Sequence, residues 1–277
     1  MMLSLASSLK DMFSFGFMRN ALLALVLITP LLGLLGTMAV NNRMAYFSDA
    51  LGHSALTGIA IGVLLGMENQ LLCMVAFGIL MAVVISRVRA SAAASTDTVI
   101  SVFSSLAMAA GLVILSKGGG FARYSSFLVG DILAITGRDI VLLAITLAAV
   151  VVLWFFLFNP LLLTSVNSSL AASRNVRTAL VEAIFVVAVA VVVMLSIQWV
   201  GILMINALLI LPAASARNVA RSARQYTALS VGFSLFSGLL GLLLSYLADV
   251  STGPVIVLIL GCIFGITYLI KSRTHAR

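Results

Sequence analysis

An Asp–His pair lies within an apolar stretch at residues 42–66. Asp49 and His53 are spaced i, i+4, so a helix places both side chains on one face. A carboxylate and an imidazole are suitable ligands for a first-row divalent metal ion. Ionisable side chains are costly inside a membrane and are then functional candidates. The alternative is a hydrogen-bonded pair that only holds a helix end, and the residues favour neither.

Two ligands make a weak metal site. Structural metal sites usually have four protein ligands, which argues against a permanently bound metal or other cofactor here. Two ligands suit a transport path, where an ion must bind well enough to enter and weakly enough to leave. If the pair binds a metal, we therefore expect Asp49 and His53 to contact a passing divalent ion; the hydrogen-bonded pair stays open as the alternative.

The same stretch carries a row of small residues that recur every four positions. A row of this kind lets a neighbouring helix approach closely. It lies about 100° around the helix from the Asp–His face. We expect helix packing along this row, which comprises Ala50, Ser54, Gly58, Gly62 and Gly66.

Three other polar residues are candidates for the transport path. Asp97 begins an apolar segment and is more simply explained as a helix N-terminal charge. Asp131 lies between apolar residues and needs a partner, so function and structural pairing are equally open. Asn206 lies inside an apolar segment and could hydrogen-bond to another helix.

The composition places these residues in a membrane. Of the 277 residues, 62% are apolar and 9% are charged, and the mean hydropathy is +1.23. Soluble domains have about 45–50% apolar and about 25% charged residues. Unbroken apolar runs are typical of transmembrane helices, whereas barrel strands alternate. We expect an all-α, polytopic integral membrane protein with one transmembrane domain over residues 1–277.

Nine apolar segments are candidate spans. Residues 126–158 are expected to contain a break near 137–139, and 200–216 is short for a full crossing. Nine crossings with the N-terminus outside is the preferred arrangement, and eight with both ends inside is the alternative. The segments are 17–40, 48–66, 69–86, 97–116, 126–158, 179–199, 200–216, 226–248 and 254–270.

The basic residues indicate the orientation. The net charge is +8, but the Lys and Arg residues lie in small groups between apolar runs. Two segments separate each successive pair of groups, so all of them can face the cytoplasm under the positive-inside rule. A nucleic-acid partner is not expected from this distribution. The four groups are Arg87 and Arg89; Arg174 and Arg177; Arg217, Arg221 and Arg224; and Lys271, Arg273 and Arg277.

The chain lacks the motifs that would supply energy or hydrolysis. It contains no GxxxxGK followed by Ser or Thr, no GxSxG and no HExxH. We therefore expect a transport subunit and not an enzyme, with any ATP hydrolysed by a separate partner.

Residues 159–178 are too polar to cross a membrane, and their composition alone favours an ordinary cytoplasmic loop. Residues 168–174 are predicted to form a short helix, with Asn167 as its N-cap. Asn175 could end this helix, because Asn tolerates the left-handed conformation.

Four stretches of the sequence resemble one family in order. Residues 43–66, with RMAYFSDALGHSALTGIAIG, resemble the signature of permeases from bacterial zinc and manganese ABC importers. Residues 97–116, 127–136 and 200–221 match the same family. The resemblance implies a homodimeric permease of the type II, vitamin-importer-like ABC fold, with eight or nine helices in the bacterial cytoplasmic membrane. It also implies that Asp49 and His53 match the family's Asp and His of the metal path.

The resemblance also implies partners. Two ABC ATPase subunits would bind the cytoplasmic face, and an extracytoplasmic metal-binding protein would deliver the ion. Residues 167–176 match the family's coupling helix, which overturns the interpretation as an ordinary loop. Two positions depart from the family pattern: Ser169 replaces an acidic residue and Asn175 replaces Gly. Leu170 and Ala171 are expected to pack into a groove on the ATPase, with Arg174 at its rim.

The expected function is the permease subunit of an ATP-driven divalent-metal importer. Zinc is the expected ion. Manganese and iron are alternatives, because permeases for zinc, manganese and iron share these motifs. A type II permease for a metal chelate, such as a siderophore or cobalamin, is a second interpretation. A third is a secondary transporter driven by an ion gradient, although the sequence shows no convincing internal repeat of the inverted kind typical of such folds. The last is a non-transporting membrane scaffold.

Overall fold

The computed structural model describes residues 14–67, 69–90, 95–117, 127 and 130–275. These residues form ten α-helices and one 3-10 turn, at Ile132–Ala134, and they contain no strand. The helices are α1 Gly16–Asn41, α2 Phe47–Leu64, α3 Gln70–Ala90, α4 Thr96–Lys117, α5 Gly137–Val166, α6 Ser168–Ser173, α7 Thr178–Val200, α8 Ile202–Val219, α9 Ala223–Ala248 and α10 Thr252–His275.

All the helices except α6 are long and apolar enough to cross a membrane, which gives nine candidate spans in the described part of the chain. The short segment at 200–216 is one of them, because α8 continues as a helix to Val219. Gly201 alone separates α7 from α8, and its φ of +79° is a conformation that glycine adopts readily. The helices therefore agree with the nine-span arrangement.

The predicted break in the long segment at 126–158 is confirmed. The 3-10 turn precedes it, and α5 begins at Gly137. Thr136 and Asp139 form a reciprocal capping box, in which each side chain accepts a hydrogen bond from the other's backbone N–H. This cap explains why the polar residues 137–139 start a helix here.

The first helix, α1, lies at the centre of one group of helices. It packs against α5, α8 and α9. Two side chains of α9 hydrogen-bond to its backbone: the Ser230 hydroxyl donates to the Gly33 carbonyl at 2.8 Å, and the Tyr226 hydroxyl donates to the Thr37 carbonyl at 3.2 Å. Interhelical hydrogen bonds of this kind help to hold helices together where apolar burial gives little driving force.

The second helix, α2, lies among α3, α4, α7 and α8. A Cβ atom on Gly58 would lie 2.6 Å from the Met74 Cα atom of α3, and one on Gly62 would lie 3.3 Å from the Cys73 Cβ atom. Ser54, one turn before Gly58, is fully buried and donates to the Leu51 carbonyl at 2.8 Å. The small-residue row thus lies against α3.

Gly66 does not belong to this packing row, so that expectation is wrong. It lies beyond the end of α2, it is exposed, and a Cβ atom added to it would meet nothing within 4 Å. Its φ of +65° shows that it instead forms the left-handed turn that ends the helix.

An ion pair joins the ends of α3 and α7. Arg89, in the last turn of α3, donates to the Glu182 carboxylate near the start of α7. Both side chains are largely shielded from solvent. Because their charges are opposite, neither charge is left unpaired in this shielded position. One residue of the first basic group is therefore paired within the chain.

Candidate transport site

Asp49 and His53 lie in the first two turns of α2, on one face. The Asp49 Oδ2 atom and the His53 Nε2 atom are 3.5 Å apart. The side chains are 49% and 27% exposed, respectively, although the residues around them on α2 are buried. The pair is therefore held by a packed helix and remains open on one side.

Asn206 of α8 joins the pair. Its Nδ2 atom donates a hydrogen bond of 2.9 Å to the Asp49 Oδ1 atom, across 157 positions of sequence. Helices α2 and α8 pack closely here, because a Cβ atom on Gly52 would lie 2.6 Å from the Ile202 side chain. Asn206 thus holds one oxygen of Asp49 while the other oxygen faces His53.

The pair opens into a small polar cavity of about 220 Å³ between α2 and α4. The α4 side of this cavity carries three hydroxyl groups, which the sequence analysis missed. Their spacing of i, i+3 and i+4 within the otherwise apolar residues 99–115 was the signal that could have identified them. They are Ser101, Ser104 and Ser105.

Helix α4 is fixed tightly against α2. The Thr57 hydroxyl donates to the Ala107 carbonyl, and a Cβ atom on Gly111 would lie 2.8 Å from the Thr57 nitrogen. This close approach aligns the serines with the Asp–His face one to two turns away. The cavity is thus formed by two helices whose relative positions are constrained.

The imidazole of His53 has an unusual environment. Its Nδ1 atom is buried and has no hydrogen-bond partner among the described residues. A histidine that ligates a metal through Nε2 usually donates through Nδ1 to an acceptor, which orients the ring and raises its basicity. Within the part of the chain that the structure describes, no group of three or more His, Cys, Asp or Glu could hold a metal. These features suit weak, transient binding.

The structure does not place the other two acidic candidates in this cavity. Asp97 is exposed in the first turn of α4, one turn before Ser101. Asp131 is also exposed and caps the 3-10 turn, because its Oδ1 atom accepts from the Leu133 nitrogen at 3.0 Å. It lines a separate cavity of about 80 Å³ near Ser251 and Thr252.

The polar connection after α5 contains the short helix that the sequence predicts. The Asn167 Oδ1 atom accepts from the Leu170 nitrogen at 3.1 Å, as an N-cap residue does. Asn175 has a φ of +56°, the left-handed conformation expected of it. The side chain of Leu170, in this short helix, is 47% exposed.

The expectation for Ala171 needs correction. Its exposed fraction is 0% within this chain, so it cannot pack into a groove on a partner. The backbone explains this, because the Ala171 carbonyl accepts from the nitrogens of Arg174 and Val176 as the chain folds back over it. Leu170 and Arg174 are exposed and remain available for contact; the side chain of Ser169 lies outside the described residues.

The fold and the site define a multi-pass membrane transport protein. Within the described ranges, nine apolar helices are long enough to cross a membrane, and a small polar cavity between two of them is lined by the ionisable residues Asp49 and His53. Residues 14–271 match the family described as the ABC 3 transport family, and the chain belongs to this family. The resemblance noted from the sequence is thereby confirmed, and the chain is a transport subunit and not an enzyme.

Two relatives cover nearly the whole chain. The manganese import system permease protein ScaB of Streptococcus parasanguinis is 30% identical over 259 residues, which are 94% of this chain and 92% of that protein. The high-affinity zinc uptake system membrane protein ZnuB of Haemophilus influenzae is 29% identical over 264 residues, or 94% and 99%.

Two solved structures are similar to the chain. PsaBC from Streptococcus pneumoniae in complex with a Fab has a TM-score of 0.83 at 28% identity, with 95% of each chain covered. An inward-facing ABC transporter assigned to the metal-chelate type has a TM-score of 0.73 at 13% identity, with 90% of this chain and 85% of that chain covered. The second likeness concerns the fold alone. The expected type II ABC permease fold is confirmed.

Proposed function

We propose that this chain is the permease subunit of an ATP-driven importer for a divalent metal ion, with zinc as the cargo. The observation that carries this proposal is the distance of 3.5 Å between Asp49 Oδ2 and His53 Nε2. Zinc binds nitrogen and carboxylate oxygen at about 2.0–2.2 Å, so two tetrahedral ligands lie about 3.4 Å apart. An ion can therefore contact both atoms with little movement of either side chain.

Weak binding is part of the proposed mechanism. The carboxylate supplies charge, and Asn206 holds its other oxygen so that Oδ2 stays aimed at His53. The unpartnered Nδ1 atom of His53 gives the imidazole no acceptor to raise its basicity. The ion is thus held by two protein ligands and its remaining water, and it can leave again.

Manganese is the second candidate cargo. Carboxylate, hydroxyl and water oxygens suit Mn²⁺, whereas imidazole suits zinc. The hydroxyls of Ser101, Ser104 and Ser105 give the cavity an oxygen-rich wall opposite Asp49. The relatives include permeases named for each of the two metals.

The proposal includes partners. The chain carries no nucleotide-binding motif, so ATP must act through contact with a separate ATPase. We assign this contact to the exposed Leu170 and Arg174 around α6. Two ATPases would act on a homodimer of this chain, and an extracytoplasmic metal-binding protein would deliver the ion.

The test is metal uptake by the assembled transporter. The chain, its ATPase and its binding protein are reconstituted in lipid vesicles, and ATP-dependent uptake of radioactive zinc and manganese is measured separately. We expect Asp49→Asn and His53→Ala to reduce uptake to the level of vesicles without the permease, because each removes one of only two ligands.

A matched control is Asp249→Asn. Asp249 lies at the end of α9 with a φ of +52°, which Asn also tolerates, and it does not line the cavity at Asp49 and His53. It should transport normally. If correctly assembled Asp49→Asn or His53→Ala transporters take up metal as the unaltered protein does, the pair is not part of the ion path. If the transporter took up manganese in preference to zinc, manganese would be its cargo instead of zinc.

A further inference from the structure

A second, larger cavity lies on the outside of the helix bundle. It has a volume of about 780 Å³ and separates the second half of α5 from the first half of α9. Both helices pack along α1, but they share few contacts with each other. The cavity is therefore a groove between two neighbours of a common central helix, and it is distinct from the cavity at Asp49 and His53.

One end of this groove is polar. Arg224, in the first turn of α9, and Asn159 of α5 both line it. Both residues are exposed, and neither side chain hydrogen-bonds or forms an ion pair with another described residue. Arg224 belongs to a basic group that the positive-inside rule places at the cytoplasmic face. The groove thus presents an uncompensated positive charge at the level of the inner lipid headgroups.

The rest of the groove is apolar. Trp154 and Phe158 of α5 form one wall, with ring centroids 5.5 Å apart. Val231 and Gly232 of α9 lie opposite, and a Cβ atom on Gly232 would meet nothing within 4 Å. An aromatic wall that faces a glycine leaves room for a flexible hydrocarbon chain.

We propose that this groove binds one anionic phospholipid of the cytoplasmic leaflet. Its phosphate contacts Arg224 and the Asn159 amide, and an acyl chain lies between the aromatic wall and Gly232. Two observations select a lipid as the occupant. Helix α5 has only 17% of its most apolar 18-residue segment buried within the chain, so the groove is open at the apolar surface of the helix bundle. The charge of Arg224 complements the anionic headgroups of that leaflet. The proposal does not depend on which metal is transported.

The experiment uses the fluorescence of Trp154. The chain has two tryptophans, and Trp199 is buried, with 5% exposed, at the end of α7. A Trp199→Phe chain in vesicles therefore reports from the groove alone. Phosphatidylcholine vesicles are prepared with increasing fractions of phosphatidylglycerol or phosphatidylcholine that carry brominated acyl chains, which quench nearby tryptophan. We expect brominated phosphatidylglycerol to quench at a lower mole fraction than brominated phosphatidylcholine.

Two variants test the two ends of the groove. Arg224→Gln should weaken the preference for phosphatidylglycerol about fivefold, which corresponds to about 1 kcal/mol for one basic residue near an anionic surface. Gly232→Phe should fill the groove and abolish the preference. Their controls are Arg221→Gln, an exposed arginine that does not line the groove, and Ala149→Phe on the exposed face of α5. Both controls should keep the preference.

Three outcomes would overturn the proposal. Equal quenching by the two brominated lipids would show that the groove meets only bulk lipid. Absence of quenching by either lipid would show that protein covers Trp154, either a second copy of the chain or another subunit. A preference that persists in both Arg224→Gln and Gly232→Phe would place the anionic lipid elsewhere.

Discussion

Helices α2 and α5 are both apolar spans, but they have opposite relations to their surroundings. In α2, 72% of the most apolar 18-residue segment is buried, and the mean hydropathy of this segment is 1.3. In α5, 17% of the corresponding segment is buried, and the mean hydropathy of that segment is 3.0. Phe47 of α2 is 1% exposed, whereas Phe156 of α5 is 67% exposed. The less apolar helix is therefore the one inside the bundle.

The contrast follows from the lipid environment. Lipid tails are as apolar as leucine, so burying a leucine against another helix gains little, whereas small and polar residues gain close packing and hydrogen bonds. Helix α2 carries those residues, and with them the Asp–His pair. Helix α5 is exposed along most of its apolar length and leads into the connection that holds Leu170. The proposed ion site and the proposed coupling segment thus belong to helices of two different kinds.

The largest expected effect is on stability, and it comes from replacing a small residue of the buried helix α2 and comparing the result with a replacement in the exposed helix α5. Gly58→Leu would force a side chain against the Met74 backbone, where even a Cβ atom has only 2.6 Å. We expect it to separate α2 from α3 and to lower the free energy of unfolding by more than about 3 kcal/mol. Ala149→Leu, on the exposed face of α5, should have little effect.

Thermal unfolding in one detergent, with size-exclusion chromatography of each variant, measures this difference. Gly62→Leu should lie between the two, because its nearest neighbours are at 3.3 Å. A stable, monodisperse Gly58→Leu protein would mean that α2 and α3 are not packed as described.

Hydropathy predicted the helices well, because a span needs a long apolar run whatever its neighbours are. The segment at 17–40 corresponds to α1 at Gly16–Asn41, and the polar break at 137–139 is the start of α5. The same reasoning placed Asp49 and His53 on one face, since their spacing is local. What a run of apolar residues does not show is which helix is central.

Contacts between distant residues could not be predicted in this way. The hydrogen bond from Asn206 to Asp49 depends on how α8 crosses α2, and no local pattern encodes that crossing. Helix α6 has six residues, too few for a periodic pattern to show that Ala171 is buried within the chain. Gly66 continued a row by spacing although the helix ends before it.

The second prediction concerns the segment that follows α5. Leu170→Asp should release the ATPase or uncouple ATP hydrolysis from transport, because an exposed apolar anchor becomes a charge at the proposed contact. Truncating such an anchor costs about 2 kcal/mol or more, and rim charges matter less, so Arg174→Ala should be milder. Co-purification with the ATPase and the ratio of hydrolysis to uptake measure both variants. Normal transport by Leu170→Asp would move the coupling contact elsewhere.

The third prediction concerns the hydrogen bond that links α8 to α2. Asn206→Ala removes the donor to Asp49 but neither proposed metal ligand. Loss of a group that orients a ligand typically costs about 10–100-fold in metal affinity. We expect the metal concentration for half-maximal uptake to rise by about that factor while the variant stays folded. Asn69→Ala is the control, because among the described residues Asn69 accepts only a local hydrogen bond from the Leu71 nitrogen. An unchanged concentration dependence would mean that Asn206 does not position Asp49 for the ion.

The smallest expected effects come from one substitution made in both helices. Phe47→Leu in α2 leaves a gap where neighbouring helices meet, and the lost packing should cost about 1 kcal/mol of unfolding free energy. Phe156→Leu in α5 exchanges one exposed apolar side chain for another and should stay within about 0.5 kcal/mol. Unfolding is measured for both in the same detergent. Because the chemical change is identical, any difference reports the surroundings alone. If Phe156→Leu were as costly as Phe47→Leu, the exposed face of α5 would be packed against protein in the assembled transporter, and the distinction between an inner and a lipid-facing helix would not hold.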